Sequence, residues 1–231
     1  MMLPILKNKK VIFFDVGYTL DMPASGDWMM TGAFLEAAGG KLEKRSDEEI
    51  RRALDLGLKF LTRDHHVTTV EEECDQFRRY YMILSDALDL GFTPALALKI
   101  AEDRAFNMDN YIPCPGAKEV TEALSRTHAL GVISDTWPSI SGQLEHLGIA
   151  KYFSFHTYSC CVGAFKPDPR IYQDALNKAK VPAEDTVFID DVPRNLEGAA
   201  ALKITPILIA VKPGPAPETP YPTIRDLREL I

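Results

Sequence analysis

The chain of 231 residues has an ordinary globular composition, 46% hydrophobic and 26% charged, which supplies enough apolar sequence for a full-sized core. The formal net charge is −7, and no basic patch stands out that could neutralise a phosphate backbone, so we expect neither nucleic acid nor an anionic membrane as a partner. No segment approaches the roughly 18 apolar residues of a membrane span, and 4 cysteines without paired spacing favour a reduced, cytoplasmic protein.

The first predicted element is a short buried strand near the start of the chain. The preceding segment, Met1 to Leu6, is apolar but too short for the core of a signal peptide, and it runs into lysines. The run from Lys10 to Asp15 is rich in β-branched and aromatic residues, and Gly17 follows it closely. This pattern predicts a buried strand with Asp15 at its carboxyl end and a turn directly after it.

Helical periodicity dominates the next region, from Asp21 to Tyr111. Three stretches carry apolar residues at spacings of three and four: Asp47 to Leu61, Glu71 to Leu88 and Pro94 to Phe106. We therefore predict a small all-helical domain of residues 21–111, inserted after the first strand. The proline-rich segment Pro113 to Gly116 is typical of a linker, so residues 1–20 and 112–231 together would form a second domain.

Beyond the linker, buried strands alternate with helices. Three apolar runs resemble the first strand: Ala129 to Ile133 before Ser134, Thr186 to Ile189 before Asp190, and Thr205 to Ala210 before Lys212. Helical spacing occupies Gly116 to Thr127 and Asp168 to Lys180. The alternation predicts an α/β fold in which a parallel sheet has helices on both faces. A proline-rich loop from Lys212 to Pro222 and a short helix from Ile224 to Ile231 complete the predicted elements.

Polar residues end several predicted strands, at the edge where open parallel sheets bind their ligands. They are Asp15, Ser134 and the adjacent pair Asp190 and Asp191, with Lys166 in a nearby loop. Converging carboxylates bind a hard cation such as Mg²⁺, which would also let a phosphate dianion approach the aspartates. Lys166 and the Ser134 hydroxyl would supply a positive charge and a donor to phosphate oxygens. Because an aspartate is a suitable nucleophile for phosphoryl groups, Asp15 is the predicted nucleophile.

Four motifs contain these residues in a fixed order. They are Phe14-Asp15-Val16-Gly17-Tyr18-Thr19-Leu20, Val132-Ile133-Ser134-Asp135, Phe165-Lys166-Pro167-Asp168 and Phe188-Ile189-Asp190-Asp191-Val192-Pro193-Arg194-Asn195. Together they resemble the motifs of the haloacid dehalogenase (HAD) superfamily. The helical segment is similar to the small C1-type cap that this family inserts after its first motif.

The resemblance implies a Rossmann-like core and a hydrolase that acts on a small phosphorylated molecule through an aspartyl-phosphate intermediate, with Mg²⁺ as cofactor. It places the metal on the Asp15 side chain, the Gly17 backbone carbonyl and the motif at Asp190 and Asp191, and we favour Asp191 as the direct ligand. It likewise identifies the residues at the phosphate as Ser134, Asp135 and Lys166. An exposed apolar cap helix could pair two copies of the chain, so a homodimer is one assembly that the sequence allows.

Gly17 departs from the family pattern. Most family phosphatases carry a second Asp at this position, which protonates the leaving group and later activates water. Its absence predicts turnover about 10²- to 10⁴-fold slower, unless Asp21 or a cap residue takes over. Two alternatives stay open: a 2-haloacid dehalogenase-type hydrolase, whose Asp15 would attack carbon without a metal, and a HAD-fold binding protein with little or no catalysis. The Asp190–Asp191 pair argues against the dehalogenase, because it would repel a carboxylate substrate.

Overall fold

The computed structural model describes residues 3–63, 65–212 and 214–231. Outside the described residues lie Met1 and Met2 of the predicted segment 1–20, Asp64 of the predicted helical domain and Pro213 of the predicted proline-rich loop. The strands are β1 (Val11–Phe14), β2 (Asp21–Pro23), β3 (Tyr111–Pro113), β4 (Ala129–Ser134), β5 (Phe153–Tyr158), β6 (Thr186–Asp190), β7 (Thr205–Ile209) and β8 (Thr223–Ile224). The α-helices are α1 (Gly32–Ala38), α2 (Asp47–Arg63), α3 (Val70–Leu88), α4 (Pro94–Phe106), α5 (Ala117–Ser125), α6 (Ile140–His146), α7 (Ser159–Val162), α8 (Pro169–Ala179) and α9 (Pro193–Ala201).

A parallel sheet with the strand order β5-β4-β1-β6-β7-β8 forms the core of the fold. The first strand, β1, lies between β4 and β6, where Phe14 is in register with Val132 on one side and Ile189 on the other. All four residues of β1 are buried, as expected for a strand with neighbours on both edges and covered faces. The predicted α/β fold with a parallel sheet and helices on both faces is therefore confirmed.

The C-terminal helix predicted at Ile224 to Ile231 is confirmed only over Leu227–Leu230, and its predicted first residue, Ile224, lies in a strand. The chain instead adds the edge strand β8 to β7 and then forms a short 3₁₀ helix, Leu227–Leu230. The Asp226 side chain accepts a hydrogen bond from the backbone N–H of Arg228 and caps this helix, while Leu227 and Leu230 are buried. Backbone pairing with β7 stabilises Ile224 as a strand residue, and apolar spacing along the sequence does not report that pairing.

The described chain divides into two compact units. The sheet unit contains residues up to Met22, Ile112–Thr136 and Gln143–Ile231, and the helical unit contains Pro23–Tyr111 together with Trp137–Gly142. The sequence-based division assigned residues 137–142 to the sheet domain. None of the helices in the described ranges combines the length and the apolar composition that a membrane crossing requires.

A buried carboxylate explains why residues 137–142 group with the helical unit. Glu73 in α3 is fully buried and accepts hydrogen bonds from the guanidinium of Arg104 at 2.6 Å and from the N–H and hydroxyl of Ser139, each at 2.8 Å. The indole N–H of Trp137 donates to Gln76 Oε1 at 2.7 Å. Removing one partner would leave a buried charge uncompensated, so these polar contacts fix the segment within the unit.

In the sheet unit, α8 and α9 pack against each other and against the loop that carries Lys166. The Tyr172 hydroxyl in α8 donates to the Asn195 carbonyl oxygen in α9 at 2.7 Å. Gly198 in α9 approaches the loop so closely that a Cβ atom there would lie 2.7 Å from Cβ of Pro167. These contacts hold the loop at the carboxyl edge of the sheet.

Candidate active site

The pairing of β1 with β6 brings two acidic residues to one edge of the sheet. The backbone N–H of Asp15 donates to the Ile189 carbonyl oxygen at 2.9 Å, which extends the ladder one residue beyond β1. Asp190 is the last residue of β6, so both side chains leave the sheet at neighbouring strand ends. Both residues are buried.

The ammonium of Lys166 joins these two carboxylates. Its Nζ atom donates to Asp15 Oδ1 at 2.6 Å, to Asp190 Oδ2 at 2.8 Å and to the Ile133 carbonyl oxygen at 3.3 Å. The side chain is only 2% exposed. Burial alone would lower the pKa of Lys166, but the carboxylates of Asp15 and Asp190 raise this pKa well above the usual value. Lys166 is therefore a permanent cation that holds the two aspartates together.

Asp190 and Asp191 differ in how fully their carboxylates are bonded. Asp190 Oδ1 accepts from the Val192 N–H at 2.7 Å, Oδ2 accepts from Lys166, and the Asn195 amide donates to both oxygens at 3.1 Å. Asp191 Oδ2 accepts one hydrogen bond within the described residues, from Lys212 Nζ at 2.7 Å, and its side chain is 9% exposed. The protein thus fixes the orientation of the Asp190 carboxylate, while the Asp191 carboxylate can still bind a further ligand.

Asp15, Asp190 and Asp191 form a group whose geometry suits a hard cation. Each offers a carboxylate oxygen, and these oxygens all lie within 4.8 Å of one another. Burial raises the pKa of Asp15 well above the usual aspartate value, because the lowering effect of Lys166 is outweighed by desolvation and by the nearby carboxylate of Asp190. A divalent cation would favour the ionised form that a nucleophile requires. The donor set is therefore one that Mg²⁺ fits.

The second motif lies at the end of β4, next to β1. Ser134 is buried, and Asp135 Oδ1 accepts a hydrogen bond from the backbone N–H of Lys166 at 2.9 Å. Burial raises the pKa of Asp135, and the charge of Lys166 opposes this increase. The backbone N–H of Thr136 donates to Ser159 Oγ at 2.8 Å. The structure thus brings the second and third motifs together at the same sheet edge as Asp15.

The turn after Asp15 contains Gly17 and leads to Asp21. Gly17 forms an isolated β-bridge with Asp21. Asp21 is fully buried, and neither of its carboxylate oxygens has a hydrogen-bond partner within the described residues. Desolvation raises the pKa of Asp21 to about 7. Asp21 is not a member of the three-carboxylate group, so it is not a candidate metal ligand.

Sequence reasoning missed Lys212, which follows β7 directly beside the acidic pair. Its Nζ atom lies 2.7 Å from Asp191 Oδ2 and 3.7 Å from the centre of the Tyr18 ring. The position of a cationic residue just after a predicted strand was the available signal. The sequence analysis used Lys212 only to mark the start of a proline-rich loop.

Comparison with known proteins gives a family match over most of the chain. The sequence profile described as "haloacid dehalogenase-like hydrolase" matches residues 9–203. This range includes the four motifs.

Individual relatives match over shorter stretches. A phosphoserine phosphatase of Thermus thermophilus is 28% identical over 64% of this chain and 62% of its own length. The bovine haloacid dehalogenase-like hydrolase domain-containing protein 3 is 36% identical over 39% of this chain and 36% of its own length. Mouse acyl-CoA dehydrogenase family member 10 is 29% identical over 48% of this chain but 10% of its own length. The chain therefore spans less than two thirds of each of these relatives.

Solved structures share the fold at low sequence identity. A 2-haloacid dehalogenase from Pseudomonas syringae has a TM-score of 0.63 at 23% identity and 96% coverage of both chains. A HAD phosphatase from Thermococcus onnurineus has a TM-score of 0.65 at 18% identity, over 96% of this chain and 95% of its own. The HAD-hydrolase YfnB from Bacillus subtilis, solved with bound magnesium, has a TM-score of 0.60 at 16% identity and 97% coverage of both chains.

Proposed function

Because this chain belongs to the haloacid dehalogenase-like hydrolase family, we propose that it hydrolyses a phosphate monoester of a small molecule, with Asp15 as nucleophile and Mg²⁺ as cofactor. The observation that carries the proposal is the meeting of Asp15, Asp190 and Asp191 within 4.8 Å. Lys166 and Lys212 offset only part of the charge of these three carboxylates, so a bound divalent cation would favour the approach of an anionic substrate. A phosphate ester supplies oxygens that such a cation also binds.

The proposed reaction has two displacements at phosphorus. A carboxylate oxygen of Asp15 forms a bond to phosphorus while the bond to the ester oxygen breaks, and the departing alkoxide takes a proton from water. A second water then attacks phosphorus and gives a proton to the hydroxide formed in the first step, the bond between phosphorus and Asp15 breaks, and inorganic phosphate leaves. Both steps are ordinary for a carboxylate nucleophile, which divides one difficult displacement into two easier ones.

The protein's own residues orient this chemistry. Lys166 holds the Asp15 carboxylate at 2.6 Å, and Asn195 fixes Asp190 so that its oxygens cannot turn away. Asp15, the Gly17 carbonyl and Asp191 would hold Mg²⁺, and Ser134 and Asp135 would contact the phosphate. When bound, Mg²⁺ supplies positive charge that stabilises the phosphoryl oxygens in the transition state.

Turnover of p-nitrophenyl phosphate tests this function. We expect hydrolysis that requires Mg²⁺ and is lost in Asp15→Asn, because an amide oxygen is a poor nucleophile. Asp55→Asn is the matched control, since Asp55 is an exposed residue of α2 and should keep wild-type activity. Phosphatase activity that survives in Asp15→Asn would refute the assignment of the nucleophile.

Carbon–halogen hydrolysis is the second candidate, and Gly17 is the observation that favours it. A halide leaves without a proton, so attack of Asp15 on carbon would not need the acid that Gly17 replaces. Release of chloride from 2-chloropropionate in the absence of metal, without phosphatase activity, would select this reaction. Binding of phosphate and Mg²⁺ without turnover of either substrate would select the non-catalytic binding protein.

A further inference from the structure

We propose that Lys212 is a substrate-binding residue whose ammonium contacts the phosphoryl oxygens, a role that rests on the proposed phosphatase function. The cation that sequence analysis assigned to the phosphate was Lys166. The two lysines differ in exposure and in the number of donors that the protein already uses.

Lys166 has no donor left for a ligand in the arrangement observed. An ammonium carries three N–H donors, and Lys166 Nζ has three protein acceptors, on Asp15, Asp190 and Ile133. Its side chain is 2% exposed, so a ligand would have to break one of these bonds inside the protein.

Lys212 has the opposite properties. Its side chain is 53% exposed, and within the described residues its ammonium donates one hydrogen bond, to Asp191. The remaining donors are sufficient for an anion. Contact with the Tyr18 ring at 3.7 Å keeps the flexible side chain beside the first motif, because a cation is attracted to the face of an aromatic ring.

The position of Lys212 also couples it to the proposed metal. The Asp191 carboxylate accepts a single protein hydrogen bond within the described residues, and Lys212 donates it. A divalent cation on Asp191 would weaken the attraction between Lys212 and this carboxylate, since two positive groups then compete for it. The ammonium released in this way lies next to the site where the phosphoryl group would arrive.

Binding of inorganic phosphate and of Mg²⁺ to the full chain, measured by calorimetry, tests the inference without turnover. With Mg²⁺ saturating, Lys212→Met should raise the Kd of phosphate by about tenfold or more, because a charge-assisted hydrogen bond is lost. Lys212→Arg should stay within about threefold of the wild type, since it keeps the charge. Without phosphate, Lys212→Met should lower the Kd of Mg²⁺, because the competing ammonium is gone.

The control is Lys203→Met, on the loop before β7 at the opposite edge of the sheet, where Lys203 pairs with Glu184 at 3.1 Å. It should leave both affinities unchanged. A misfolded Lys212→Met protein would bind both ligands more weakly, so opposite shifts exclude that explanation.

Three results would overturn the inference. An unchanged phosphate affinity in Lys212→Met would mean that Lys212 only neutralises Asp191, and the proposed function would stand. An equal loss of phosphate affinity in Lys203→Met would mean that the net charge of the protein, and not a specific contact of Lys212, determines phosphate binding. If the wild type bound Mg²⁺ but no phosphate, the inference and the proposed phosphatase function would fail together.

Discussion

Two aspartates of the first motif region, Asp15 and Asp21, are both buried but have different electrostatic surroundings. A carboxylate oxygen of Asp15 lies 2.6 Å from the ammonium of Lys166, whereas the carboxylate of Asp21 has neither a hydrogen bond nor an ion pair within the described residues. A buried carboxylate without partners is much more stable protonated than ionised. Asp21 should therefore affect the stability of the protein as a function of pH.

We predict that Asp21→Asn removes a pH-dependent loss of stability. The folded pKa of about 7 exceeds the unfolded value, so the unfolded chain ionises first as pH rises. The effect is absent below about pH 4, grows between about pH 4 and 7, and reaches on the order of 4 kcal/mol above that range. Urea unfolding at several pH values should show a steeper fall for the wild type than for Asp21→Asn.

Asp55→Asn is the control for this experiment, because Asp55 is exposed and should leave the wild-type pH profile unchanged. Parallel profiles for the wild type and Asp21→Asn would contradict the prediction. They would mean that Asp21 gains a partner or water in solution.

Residue-level reasoning predicted Asp15, Ser134, Lys166 and the Asp190–Asp191 pair from strand ends and motif order. It could not predict Lys212, because the contacts of this side chain with Asp191 and Tyr18 are set by tertiary structure. It also could not predict that the Asp190 carboxylate accepts more hydrogen bonds from the protein than the Asp191 carboxylate does. That difference depends on where the Asn195 amide points.

Among the elements, α9 links the third and fourth motifs. Its Asn195 bonds Asp190, and its Gly198 lies against Pro167, the residue after Lys166. Glycine is required for this approach, because an added Cβ atom would lie 2.7 Å from Pro167 Cβ and 3.0 Å from the Tyr172 ring.

We predict that Gly198→Ala destabilises the protein by about 1–3 kcal/mol, the usual effect of overpacking. It should also reduce phosphatase activity, because the added methyl group would push the loop that carries Lys166 away from α9 and so displace Lys166 from Asp15. Gly32→Ala is the control, since a Cβ atom at Gly32 in α1 would meet nothing within 4 Å. Chemical unfolding and p-nitrophenyl phosphate assays measure both effects, and a neutral Gly198→Ala would show that the loop moves freely.

The predicted strands correspond to β1, β4, β6 and β7 because each is a nearly continuous apolar run. The sequence analysis missed β5 because this edge strand is only partly buried and contains polar residues such as Ser154 and His156. It missed β8 because two residues are too few for a periodic pattern. Helices in residues 23–111 were easier to recognise, since α2 and α3 are long amphipathic segments.

For the whole molecule, metal binding should be measurable as stability. A ligand that binds only the folded state stabilises it by about 2.7 kcal/mol at a concentration of 100 times its Kd. For a chain of this size, that corresponds to an increase in Tm of about 5–10 °C. We predict an increase of this order when Mg²⁺ is added to the wild type.

Asp191→Asn should show a much smaller Mg²⁺-dependent increase, because a proposed direct ligand is lost. Asp55→Asn should respond like the wild type. Scanning calorimetry with and without Mg²⁺ provides the comparison. Equal increases in the wild type and in Asp191→Asn would remove Asp191 from the proposed site.

The central place of β1 in the sheet has a consequence for synthesis on the ribosome. Residues 11–14 are synthesised more than 100 residues before their hydrogen-bonding neighbours, which begin at residues 129 and 186. Most of the helical unit is contiguous in the chain, at Pro23–Tyr111, and can collapse while translation continues. During this time β1 lacks the strands with which it pairs. Nascent chains that stall before residue 186 therefore expose an aggregation-prone apolar segment, and we expect chaperones to bind this segment.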